Sequence, residues 1–384
     1  MGHPFDDLDL AALRTRRSAK WRKHPADVLP MWVAETDYPL ADPIRDTLDR
    51  MVRAGDVGYA WFDGLAEAYC GFARQRYGAE VDPARVLGVQ DVMRAVLVAI
   101  ELLTQPGAGV VINPPVYPPF FSTIRYAGRR VVEAPMARDA ATGRYELDLD
   151  ALEDAFARGA RCWLLCSPHN PTGRVFSRRE LEAAAAVADR YGVTVLADEV
   201  HAPLVLGGGR FVPWATLSAE SAARCVTVVS ASKGWNLPGL KCALAIAGSP
   251  AIAEAFAGVP SEVPYGAGIL GVAATEVAFR DGVGWLDDLL RYLEVVRADL
   301  ERLLAERLPA IRWCPPEATY LAWLDCAALG LDDPATAFLE RGRLAVRGGA
   351  DFGTAGSEFV RLTFGTSRSI VAEAVERMRA AVGP

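Results

Sequence analysis

From about residue 85 to 250, short β-branched runs alternate with stretches whose apolar positions recur at helical spacing. The runs predict strands over 85–89, 110–113, 130–133, 161–166, 193–197, 226–230 and 243–247, and the periodic stretches predict helices over 92–103, 117–126, 149–157 and 177–191. Strands separated by helices of this length imply a parallel sheet covered on both faces, and several of these strands read as almost wholly apolar. Beyond about residue 285 the pattern changes. A long helix over 284–307 carries alternating charge and a leucine stripe, and is followed by strands over 320–325, 345–347 and 359–363 and a last helix over 369–382. The first 45 residues hold few periodic elements and read as an arm lying along the rest. The expected organisation is an arm over 1–45 that joins the smaller unit, a large domain over 46–285 and an α+β domain over 286–384.

The 384 residues exceed a prior of roughly 150 per domain, and 51% hydrophobic content can fill one large core and a satellite. A net charge of −7, from 41 basic and 48 acidic residues, implies no strong attraction to nucleic acid or to an acidic membrane. The longest apolar runs are too short to span a bilayer. Asp6, Asp7 and Asp9 stand where a secretory or transit peptide would be apolar or acid-poor, so a cytoplasmic protein is expected. Seven dispersed cysteines without a C-x-x-C pair and only four histidines argue against a disulfide framework and against structural zinc.

Chemistry-bearing residues fall just after predicted strands, where ligands sit in sheets of this kind. The segment Ser230-Ala-Ser232-Lys233-Gly-Trp-Asn236-Leu-Pro-Gly239-Leu-Lys241 follows an apolar strand. A lysine at the lip of a sheet, desolvated, is available as a free amine to form an imine with a carbonyl compound. The Ser230 and Ser232 hydroxyls and the Lys241 charge can bind a phosphate beside it. The plainer reading is a surface loop. Asp198, in Ala-Asp198-Glu199-Val-His201, can hold a ring nitrogen protonated, or can simply cap a helix. A metal site on Asp198, Glu199 and His201 lacks a second nearby histidine. In Cys166-Ser-Pro-His169-Asn170-Pro-Thr-Gly173, two prolines and a glycine fix a turn from which Asn170 can donate a hydrogen bond.

The order N-P-T-G, D-E-V-H, then S-x-S-K about thirty residues later resembles the fold-type I pyridoxal 5′-phosphate (PLP) enzymes of the class I/II aminotransferase family. More narrowly, the chain is similar to the MalY/PatB-type cystathionine β-lyases. The residues carrying that likeness are Met31-Trp-Val-Ala-Glu-Thr-Asp-Tyr38, Gly58-Tyr-Ala-Trp61, Ser232-Lys-x-Trp-Asn-Leu-x-Gly-Leu240, Ala318-Thr-Tyr-Leu-Ala-Trp-Leu-Asp325 and Phe359-Val-Arg-Leu362. The resemblance implies the aspartate-aminotransferase (PLP-dependent transferase-like) α/β fold, with a mostly parallel helix-covered sheet and a smaller α+β domain. It implies Lys233 as the Schiff-base lysine and acid/base at Cα, Asp198 as partner of the pyridine nitrogen, and Asn170 as donor to the 3′-oxygen. Tyr117 would stack on the ring, and Arg361 would grip the substrate carboxylate as a planar fork. Trp32 would help to bind substrate. Tyr59 would reach the phosphate of a neighbouring subunit, so a homodimer follows.

Three departures from the family pattern bear on these roles. In Gly88-Val-Gln90-Asp91 the Gln90 and Asp91 amides would face the phosphate at a helix N-terminus, but an aspartate side chain there would repel it and is expected to cap the helix or turn away. His201 replaces an aminotransferase tyrosine, and Lys241 stands where those enzymes have arginine. The implied reaction is α,β-elimination from cystathionine or another cysteine S-conjugate, giving a thiol, pyruvate and ammonia. An aminotransferase on the same scaffold, or a non-catalytic PLP-binding regulator, are the other readings.

Overall fold

The computed structural model of the protein describes residues 3–62, 64–353 and 356–383, so the outermost bounds expected above, at residues 1 and 384, lie outside it. Among the described residues the main sheet has seven strands: β1 (Val86–Val89), β2 (Gly109–Ile112), β3 (Arg130–Glu133), β4 (Cys162–Cys166), β5 (Thr194–Asp198), β6 (Cys225–Val229) and β7 (Ala243–Ala247). Their order is β1-β7-β6-β5-β4-β2-β3. The pairs from β3 through β6 are parallel, and β7 runs antiparallel to both β6 and β1. Every strand expected in this region is present, with ends moved by at most one residue. The strands β4, β5 and β6 end at Cys166, Asp198 and Val229, so the segments that follow them emerge at one lip of the sheet.

Period-two alternation decides what each strand gives to either face. Val110, Ile112, Leu164, Leu196 and Val226 join the helix Val92–Leu103 in one apolar cluster. Val111, Trp163, Leu165, Val195 and Ala197 join the helices Leu149–Ala157 and Arg178–Arg190 in another. Asp91 caps the first of these helices by accepting from the Arg94 amide at 2.9 Å. Ser177 and Glu180 form a capping box on the third, which satisfies otherwise orphaned N–H groups at its start. The expected helix over 117–126 starts at Pro119 instead, because Pro118 and Pro119 place the first helical residue there.

A second sheet is antiparallel: β8 (Arg312–Trp313), β9 (Leu321–Asp325), β10 (Arg347–Gly348) and β11 (Phe359–Thr363), in the order β8-β9-β11-β10. The single strand expected over 345–347 is divided. Leu344–Ala345 turns aside to pair in parallel with Leu29–Pro30, and only Arg347–Gly348 joins β11. The arm is therefore tied to this second sheet, and it contains the short helices Leu10–Thr15 and Ala19–Arg22. The 25-residue helix Val283–Arg307 buries Leu286, Leu289, Leu293, Val296 and Leu300 beneath these elements.

The helix Ile269–Asp281 packs on Leu65–Tyr77 and Asp42–Ala54, and its Gly271 lies under the loop that joins Lys233 to Lys241. A Cβ at 271 would sit 2.0 Å from the Leu240 carbonyl oxygen, so backbone must shift to admit it. Gly271→Ala is expected to cost about 1–3 kcal/mol. Urea unfolding should show a lower midpoint at an unchanged slope.

Candidate active site

A cavity of ≈180 Å³ opens at the lip where β4, β5 and β6 end. Lys233, Asp198, Asn170, His201 and Tyr117 line it, together with Ser230 and Ser232. Asp91 and Lys241 close its far side. A larger cavity of ≈380 Å³ lies between the hairpin around residues 138–145 and the second sheet, but Arg138, Arg144 and Arg174 there are already paired with Asp325 and Glu317. The chemistry belongs to the smaller space.

Lys233 sits on a single helical turn, Ala231–Gly234, and keeps an opening to the cavity. Its Nζ donates to the Ala34 carbonyl at 2.8 Å. Desolvation, then the Arg361 charge, lowers its pKa to about 8, so a large fraction is free amine under mildly alkaline conditions. Asp198 is buried at the end of β5, and its Oδ1 accepts from the Val200 amide at 3.2 Å. Burial raises its pKa to about 7 against the opposing pull of that amide and of Lys233. The carboxylate lacks the cationic partner that would keep it ionised at neutral pH. His201 is held well below the usual imidazole range by burial and by the Lys233 and Arg361 charges, so it is neutral. Among the described residues its buried Nδ1 finds no hydrogen-bond partner.

Asn170 accepts from Arg361 Nη1 through Oδ1 at 3.2 Å, which leaves its amide NH₂ for the cavity. The turn that carries it depends on Gly173, at φ +69°, where a Cβ would meet Pro316 at 2.2 Å. Arg361, on β11, also donates from Nη2 to the Trp32 carbonyl at 2.8 Å, and its Nε–H is buried without a partner. Burial lowers its pKa to about 10, which leaves it cationic. The Phe352 ring lies 5.2 Å from the guanidinium carbon.

Gln90 does not line the cavity; Asp91, Val92 and Met93 do. Asp91 is the N-cap of the helix, so its own amide and those of Val92 and Met93 have no intrahelical acceptor. The Asp91 side chain turns to Lys241 Nζ at 3.0 Å as well as to Arg94. Ser230 and Ser232 are both on the cavity wall, and the Ser230 hydroxyl donates to the Cys242 carbonyl at 2.6 Å. The Trp32 indole lies under Lys23 Nζ and against His24, outside the cavity, and only its carbonyl reaches the site. Tyr59 is 87% exposed and packs beside Tyr265, off the wall of this cavity.

Asp198, Glu199 and His201 do not gather as metal ligands; Glu199 accepts instead from the Trp214 amide at 2.9 Å. Sequence reasoning missed the Ala34 carbonyl, which accepts from Lys233, and the presence of Val92 and Met93 on the cavity wall. Backbone groups carry no side-chain signature, although the cap at Asp91 was a usable clue to the last two.

The aminotransferase class I and II profile matches residues 48–378, and the chain belongs to that family. Within it, the chain is similar to the Corynebacterium glutamicum protein named cystathionine beta-lyase, at 35% identity over 376 residues, which is 96% of this chain and 98% of that one. A Mycobacterium leprae protein, provisionally named a cystathionine beta-lyase, is 45% identical over 399 residues and spans 98% of this chain and 97% of its own. The structure of cystalysin from Treponema denticola, described as containing a pyridoxal 5′-phosphate cofactor, superposes with a TM-score of 0.91 at 25% identity and covers 99% of each chain.

The carboxyl of Asp198 gives a test that needs no ligand. Because its folded pKa lies above the unfolded value, its contribution is present below about pH 4 and is lost as pH rises through about 7. Asp198→Asn should flatten this part of the pH dependence of cofactor-free stability, measured by urea unfolding from pH 4 to 7.5. An undiminished slope would assign the effect to other groups.

Proposed function

We propose that the protein is a PLP-dependent carbon–sulfur β-lyase that cleaves cystathionine or another cysteine S-conjugate. The observation that carries it is the convergence of Lys233, Asp198 and Asn170 on one cavity, with Arg361 hydrogen-bonded to Asn170 beside it. The likeness over nearly the whole chain to proteins named cystathionine beta-lyase supports elimination over transamination. The residues fit the cofactor. A buried carboxyl short of a cationic partner suits a pyridine nitrogen, and the free Asn170 amide suits a ring oxygen. The Val92 and Met93 amides, Ser232 and Lys241 offer donors to a phosphate at a helix N-terminus. When bound, PLP supplies an electron sink for charge developing at the substrate Cα.

The chain's own groups supply orientation and proton transfer. Arg361 binds the α-carboxylate, with its unpartnered Nε–H as one ready donor. Lys233 Nζ, freed as an amine, takes the Cα proton, and the β-thiolate then departs. The remaining three-carbon fragment takes up water to give pyruvate and ammonia. Neutral His201 adds a polar edge to the cavity without a second positive charge.

The same reading divides the chain into a large cofactor domain over 46–285 and a small domain over 286–384 that takes in the arm, and the separate sheets support this. It also makes the enzyme a homodimer. Val57, Tyr59, Trp61 and Tyr265 expose a large apolar area, and Tyr59 is free to reach a partner's cavity. Seven free cysteines suit the reducing cytoplasm, and no described helix is long and apolar enough to cross a membrane.

Given cystathionine, the enzyme should release pyruvate, ammonia and a thiol without any 2-oxo acid. Arg361→Lys should lower kcat/KM about 10–100-fold, because a point charge replaces a fork. Lys233→Ala should abolish turnover. Dependence on 2-oxoglutarate, with glutamate formed and no thiol, would make the protein an aminotransferase. Sedimentation should show a dimer, and Tyr59→Phe should weaken PLP binding; a fully active monomer would refute the shared site.

A further inference from the structure

Lys20 is 1% exposed, an unusual place for a lysine, and no part of the proposed chemistry uses it. It stands on the short helix Ala19–Arg22, and its Nζ lies 2.7 Å from Asp37 Oδ2 and 3.2 Å from the Glu35 carbonyl. Trp21 Nε1 donates to Asp37 Oδ1 at 3.1 Å, and Arg16 donates to the Asp37 carbonyl at 2.8 Å. One side of the segment 32–37 is therefore fastened to the arm.

The other side of the segment faces the active site. The Trp32 carbonyl accepts from Arg361, and the Val33 carbonyl accepts from Thr363 Oγ1 at 2.8 Å. The Ala34 carbonyl accepts from both Lys233 and Tyr320, the latter at 3.2 Å. Thr36 exchanges two 2.9 Å hydrogen bonds with the Asn236 side chain, three residues beyond Lys233. This strap of six residues touches the amine, the guanidinium and both sheets' loops at once.

We propose that Lys20 and Asp37 are positioning residues: their buried pair pins the strap across the cavity so that Lys233 and Arg361 are held in register for an amino-acid substrate. A buried ion pair is a poor source of net stability, since an apolar pair of similar volume often serves as well or better. Its use here is directional. The pair fixes the height at which two successive regions of backbone carbonyl meet two cations. Misplacing reacting groups by about 1 Å can cost on the order of 100-fold in rate.

The kinetic arm of the test rests on the lyase reading; the exchange arm does not. Lys20→Met/Asp37→Leu removes both charges without stranding either. In the full-length protein, with and without PLP, amides of residues 33–37 should exchange about 10-fold faster or more, while the global unfolding midpoint stays near that of the wild type. With cystathionine, kcat/KM should fall about 10–100-fold, with kcat itself lowered, because Lys233 loses its register with the substrate. Lys20→Met/Asp37→Asn, which keeps an acceptor for Trp21, takes the same measurements if the first variant does not fold. Wild-type kcat and kcat/KM in a folded variant would overturn the proposal, whatever the exchange rates. If the wild type itself eliminates no thiol, the lyase reading fails, and unchanged exchange at 33–37 would then overturn the positioning role by itself.

Discussion

The hydrogen bond from Lys233 Nζ to the Ala34 carbonyl joins the loop after β6 to the arm. It also gives the amine a partner that carries no formal charge. A carboxylate in that place would hold the lysine protonated. A carbonyl lets desolvation and the Arg361 charge draw it down to about 8. The Glu35 and Asp198 charges temper this effect without reversing it. The functional state of the amine thus depends on a backbone atom more than a hundred and ninety residues away in sequence, and that atom's position depends on how the arm is anchored.

The main sheet makes this arrangement possible through its strand order. The parallel strands β4, β5 and β6 deliver the Asn170 turn, Asp198 and the Lys233 turn to the same lip. Antiparallel β7 then returns the chain beside β6, so Lys241 and Cys242 come back to the cavity within a dozen residues of Lys233. Arg361 arrives from the second sheet, on β11, and meets Asn170 across the gap. The site is built from rigid strand ends, with the glycine at 173 allowing the two sheets' loops to approach closely.

Much of this was legible in the sequence for a physical reason. Strands buried on both faces write themselves as apolar runs, and residues just beyond them are polar only where function or capping requires it. Lys233, Asp198 and Asn170 stand out on that background, and the cavity gathers all three. The failures share a cause. Trp32 was chosen by its side chain, but the strap's carbonyls face the site while its indole packs on Lys23. Gln90 lies one residue before the cavity wall, which begins at the cap Asp91 and continues through Val92 and Met93. The division of 345–347 follows from pairing with Leu29–Pro30, a contact some three hundred residues distant that no local pattern encodes.

The charges in the cavity also couple substrate binding to base strength. With the guanidinium of Arg361 uncompensated, its field lowers the pKa of the free Lys233 amine. A substrate carboxylate docked on Arg361 would neutralise that field at its source, and in a low-dielectric cavity such a change is weakly screened. The amine then becomes the stronger base once a substrate is in place and its Cα–H is to be removed. An amine without a carboxylate could enter the same space but would leave the Arg361 field intact. With the proposed roles of Arg361 and Lys233, selectivity for α-amino acids would therefore appear in proton abstraction as well as in binding.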